Sequence, residues 1–225
     1  MDTSHNRYLL LIDLRESTKL APEVASPVLA RLEQRLAGLN SDVDPAPVLG
    51  LSLSYGDEVA GLFDRPQSLY GVVDQVRDAL WPEVTVRFVA AYGAIGRASD
   101  DIRQVGGEVF KRANEAIQQL KKRRRFCSWL MGDPILDAAL DSLTEMGNAL
   151  LEDMTEYQRD VYRLLAANLS QKQIAARLGK HKQSVSEAAS RGRAELVLEA
   201  RNSIHGLLAA DWSMGNRGLS KDNRK

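Results

Sequence analysis

Two aspartates carry the clearest small-molecule chemistry in this chain. Asp13 follows an apolar run in Leu11-Ile-Asp-Leu-Arg-Glu-Ser-Thr18, and Asp57 sits in Ser54-Tyr-Gly-Asp-Glu-Val-Ala-Gly-Leu-Phe63. If the first strand lies beside the hairpin, both carboxylates meet at one sheet edge. With the Leu14 carbonyl they could then hold a hard divalent cation, Mg or Mn, and through it nucleotide phosphates. The competing reading is structural: a strand-end cap and a turn former, both ordinary uses of aspartate.

A second constellation lies in Gln171-Lys-Gln-Ile-Ala-Ala-Arg-Leu-Gly-Lys-His-Lys-Gln-Ser-Val-Ser-Glu187. Ser170 is placed to cap a short helix whose inner face is Ile174, Ala175 and Leu178. Gly179 stands where a tight turn needs a positive backbone angle. Val185, Ala188 and Ala189 then point inward from a second helix. A small residue, a glycine turn and an inward β-branched residue at these offsets are what a helix-turn-helix requires. On the second helix Lys182, Gln183, Ser186, Glu187 and Ser190 are expected outward, toward base edges. Lys180, His181, Arg191 and Arg193 suit the phosphates of double-stranded DNA. The plainer alternative is a three-helix module with a solvated polar face.

The charge map agrees with a nucleic-acid partner at one end. The 225 residues carry no net charge, but residues 133–153 hold six acids and no Lys or Arg, whereas residues 154–225 hold 13 basic and seven acidic residues. Local charge, rather than the total, steers a protein onto phosphates. Lys121–Arg125 is a further basic run, suited either to phosphates or to the negative end of a helix. The single cysteine, Cys127, excludes an intrachain disulfide and fits a cytoplasmic setting. The three scattered histidines lack metal-ligand spacing. The apolar run Tyr8–Leu14 is broken by Asp13 and Arg15, so neither a signal peptide nor a membrane span is expected there.

The elements that must position these residues follow from periodicity. Tyr8–Leu14 reads as a buried strand, and Val28, Leu29, Leu32, Leu36 and Leu39 have helical spacing. Val48–Ser54 and Glu58–Phe63 flank Tyr55-Gly56-Asp57 as a hairpin. A helix over Ser68–Leu80, a strand over Val84–Ala94, a helix opened by Gly106-Gly107 and a strand over Phe126–Met131 complete residues 1–132. The expected fold class is α+β, with helices on one face of a mainly antiparallel sheet. An acidic connector helix over 133–153, an all-α helix-turn-helix domain over 154–212 and a disordered tail over 213–225 follow.

The front residues resemble the core of class III nucleotidyl cyclases and GGDEF-type enzymes, a ferredoxin-like palm in which one aspartate ends the first strand and another occupies a Gly-Asp turn. Val86–Ile95 is similar to the following family strand and Gly106–Asn114 to the helix after it. The family's catalytic Asn and Arg on that helix align with Phe110 and Asn114, while Lys111 and Arg112 offer phosphate-binding charge out of register. Met154–Ser170 resembles the support helix of sigma-factor region-four and LuxR-type domains. Over nearly the whole chain, Ile12–Ser17, Gly56–Leu62 and Gly106–Leu120 resemble the SatD-like family, which pairs a cyclase-like domain with a DNA-binding helix-turn-helix. That resemblance brings no activity with it; the helix-turn-helix and the cyclase-like front together lead to the expectation of a DNA-binding transcriptional regulator whose front domain senses a nucleotide or forms a homodimer. The alternatives are a metal-dependent nucleotidyl cyclase or polymerase-like enzyme with an appended DNA-binding module, and a structural partner of another DNA-bound protein.

Overall fold

The computed structural model describes residues 6–15, 17–54, 57–96 and 99–210. The Tyr55-Gly56 part of the expected turn and the expected disordered tail lie outside them. Five strands form one sheet in the order β2-β3-β1-β4-β5. They are β1 (Asn6–Arg15), β2 (Leu49–Ser54), β3 (Glu58–Phe63), β4 (Thr85–Ala94) and β5 (Cys127–Leu130). The first four are antiparallel to their neighbours, and β5 runs parallel to β4. With α1 (Pro22–Asp42) and α2 (Leu69–Leu80) as crossovers, they make the split β-α-β of the ferredoxin-like arrangement.

The expectation that helices cover one face is corrected. Leu10, Ile12 and Leu14 of β1 join a core with α1 and α2, whereas Leu9 and Leu11 join a second core under α3 (Glu108–Arg123). Successive strand residues point to opposite faces, and β1 is apolar at five of the six positions from Leu9 to Leu14. Such a strand must be covered on both sides. Its one polar interruption, Asp13, falls on the α3 face.

Helix side chains bond to backbone groups at both edges of the sheet. Along α4 (Pro134–Glu152), Asp137 Oδ1 accepts from the Met131 N–H at 2.7 Å and Asp141 Oδ1 from that of Trp129 at 2.8 Å. Glu145 Oε1 accepts from the N–H groups of Phe126 and Cys127 at 2.9 and 3.0 Å. Spacing of four residues puts these carboxylates on one helical face, in step with alternate residues of β5. At the other edge Asn40 of α1 accepts from Leu51 N at 2.7 Å and donates to Leu51 O at 3.0 Å.

The remaining helices are α5 (Glu156–Ala166), α6 (Gln171–Leu178), α7 (Lys182–Arg191) and α8 (Ala194–Ala209). A third core of Val161, Tyr162, Ile174, Val185, Ala188 and Val197 holds them together. Capping boxes start α5 and α6: Thr155 with Gln158, and Ser170 with Gln173. Helix α8 leaves this core at its far end, where Ile204 and Leu208 enter the core shared by α1, α2 and the sheet. No described helix is long and apolar enough to cross a membrane.

Candidate functional site

Strand register builds the acidic site. Asp13 faces Glu58 across β1–β3 and Arg87 across β1–β4, so the three side chains form one row on the α3 face. Asp13 is 2 % exposed. Arg87 Nε lies 3.0 Å from its Oδ2, and Lys121 Nζ, from the last turn of α3, lies 2.6 Å from its Oδ1. Burial, and then the Asp13 charge, raises the Glu58 carboxyl above its ordinary value. Asp57 is half-buried in the turn just before β3, where its carbonyl accepts from Leu14 N at 2.9 Å.

These residues do not fit the divalent ion implied by the resemblance. Each Asp13 oxygen already faces a cation of the chain itself, and the Leu14 carbonyl accepts from the Ser17 hydroxyl at 3.3 Å. Among the described residues no group of three or more His, Cys, Asp or Glu is placed to hold a metal. A cavity of about 340 Å³ does lie beside the row, lined by Ser54, Asp57, Glu58, Arg103, Phe110 and Asn114 among others. Lys111 and Arg112 are not part of that lining; Lys111 is exposed, and Arg112 donates to the Tyr92 carbonyl at 3.2 Å. Phe110 and Asn114 thus stand at the cavity where the resemblance would place a catalytic Asn and Arg.

Sequence reasoning missed Glu58, Arg87 and the Asp13 contact of Lys121. Glu58 was findable as the neighbour of Asp57, but the other two depend on register and on the length of α3.

The second constellation is compact. Gly179 ends α6 at φ 62°, and Lys180 N closes the turn on the Ala175 carbonyl at 2.9 Å. Val185, Ala188 and Ala189 of α7 are buried. Lys180, His181, Lys182, Gln183, Ser186, Glu187, Ser190, Arg191 and Arg193 are all exposed. Gln183 Nε2 donates to Glu187 Oε1 at 3.2 Å, one turn along the outer face. Gly192 lets α7 close onto α5, because a Cβ there would stand 3.2 Å from that of Gln158.

Arginines tie these helices to α2. Asp74 pairs with Arg77 at 2.6 Å and with Arg201 of α8 at 2.8 Å. Asp78 pairs with Arg163 of α5 at 3.5 Å, and Arg159 lies 4.0 Å from it. The Arg159 guanidinium sits 4.9 Å from the Trp81 ring centroid, and burial pushes its pKa down to about 10.

No protein-family model and no curated protein matches the chain. Among solved structures it is similar to a bacterial light-regulated adenylyl cyclase, at 10 % identity and a TM-score of 0.40, over 56 % of this chain and 43 % of that one. It is also similar to the adenylyl cyclase CyaB from P. aeruginosa, at 14 % identity and 0.37, over 52 % and 74 % of the two chains. The guanylyl cyclase Cya2 gives 14 % and 0.34, over 50 % and 68 %. The chain thus spans less than half the length of the first of these.

Proposed function

We propose that this protein binds double-stranded DNA through a helix-turn-helix formed by α6 and α7, carried on a front domain of cyclase-like build. The observation that carries the reading is the division of α7. Val185, Ala188 and Ala189 are buried, while Lys182, Gln183, Ser186, Glu187 and Ser190 make a continuous exposed polar face. An α-helix fits the major groove, and such a face brings donors and acceptors to base edges. Lys180, Arg191 and Arg193 flank it with charge suited to phosphates.

The front domain acts here as a scaffold rather than as a catalyst. Turnover by a metal-dependent cyclase needs free carboxylates, and the buried Asp13 carboxylate is paired with both Lys121 and Arg87. Its α2 aspartates instead hold α5 and α8, which fixes the DNA-reading helices to the sheet.

Fluorescence anisotropy with random duplex DNA over a salt series tests the proposal. Direct phosphate contact makes affinity fall steeply with salt. Binding that is absent, or unchanged from low to high salt, overturns it.

A further inference from the structure

Helices α4 and α8 leave a trough of about 520 Å³ between them, lined mainly by apolar side chains. Its floor includes the small residues Gly147 and Ala200, where a Cβ on Gly147 would meet that of Ala200 at 3.9 Å. Beside this hollow stand two large apolar side chains open to solvent, Met146 at 59 % and Leu196 at 51 % exposure. Contiguous exposed apolar surface of this kind marks an interaction site.

We infer that a second copy of this chain fills the trough, in a two-fold contact centred on Leu196. A two-fold contact uses the same patch on both partners, so the patch must carry both the projection and the hollow that receives it. This one does. Met146 and Leu196 project beside Gly147 and Ala200 on a single surface.

Charge fixes the orientation. Arg193, the residue just before α8, and Glu199 within it both line the trough, three residues to either side of Leu196. Antiparallel pairing of two α8 helices about Leu196 sets Arg193 of each copy against Glu199 of the other. Parallel pairing in register would set like charges together. An unrelated helix has no need of this symmetry, whereas a second copy does.

The contact is tested without DNA, so its outcome is separate from that of the DNA-binding reading. Sedimentation of the full chain is expected to give a dimer, and Leu196→Glu a monomer. Arg193→Glu alone is expected to weaken the dimer about tenfold, and adding Glu199→Arg to restore it. Cys127 is buried, so Leu196→Cys introduces the one exposed thiol among the described residues. On the axis it should form a disulfide-linked dimer under mild oxidation, while Ala176→Cys, on the exposed face of α6, should not. A monomer at every concentration, with Leu196→Cys uncrosslinked, overturns the inference. That is the result expected if the trough takes residues 211–225 of its own chain or a helix of another protein. A dimer that survives Leu196→Glu and leaves Leu196→Cys uncrosslinked overturns it equally.

Discussion

Asp74 and Arg201, 127 residues apart in the chain, meet at 2.8 Å between α2 and α8. The other Asp74 oxygen takes Arg77 at 2.6 Å, so one buried carboxylate is shared by two guanidinium groups from different parts of the fold. Removing it leaves Arg77 buried without its counter-charge.

Asp74→Ala is therefore expected to lower stability by about 3–5 kcal/mol, the usual cost of stranding a buried charge. Arg201→Ala, at a partly exposed position, should cost about 1 kcal/mol. Urea unfolding of both variants and of the double variant checks this. If Asp74→Ala unfolds like the parent, α2 does not anchor α8.

On the outer face of α7, Lys182→Ala and Arg191→Ala should each weaken binding to duplex DNA. For a cation that contacts phosphate, the slope of log affinity against log salt should also fall by about 1. Anisotropy titrations at several salt concentrations measure both quantities. Affinity untouched by either change would remove α7 from the interface.

Lys121 gives a sharper test of the front domain. With Asp13 paired as it is, manganese or magnesium should leave the melting temperature of the parent unchanged. Lys121→Met removes one cation from a row that also holds Glu58, with Asp57 close by, and should create a manganese-dependent rise that Asp13→Asn abolishes. A metal-dependent rise in the parent would show that the lysine yields its place.

His205 faces the Tyr70 ring at a centroid distance of 5.7 Å in the α8–α2 contact. Burial, and then the Arg201 charge, lowers its pKa from the ordinary value of 6.5. The folded state thus resists protonation more than the unfolded chain does. The stability concerned is present above about pH 6.5 and is lost as pH falls toward the lowered folded pKa. The urea midpoint should drop between about pH 7.5 and 5.5 in the parent, and less so in His205→Phe. Equal drops in the two proteins would assign the effect to another group.

What was legible in the sequence was local. Ser170, Gly179 and Val185 announce the α6–α7 pair because capping, a left-handed turn and an inward β-branched residue are decided within a few positions. The chain order of the five strands and the three helices between them was equally visible as alternating periods. The partners of Asp13 were not, since Arg87 reaches it through register and Lys121 through the length of α3. The partners of the acids in 133–153 were hidden for a related reason. Amphipathic periodicity assigns charged residues to solvent, yet Asp137, Asp141 and Glu145 turn toward the N–H groups of β5.

Those three carboxylates, with Asn40 at the opposite margin, behave toward the sheet as neighbouring strands would. Each occupies backbone groups that an incoming extended segment would need. Growth of the sheet by strand addition, whether from another copy or from an unfolded chain, is opposed along β5 by three carboxylates and at Leu51 of β2 by Asn40. The open-ended stacking to which bare strand margins lead is thereby disfavoured.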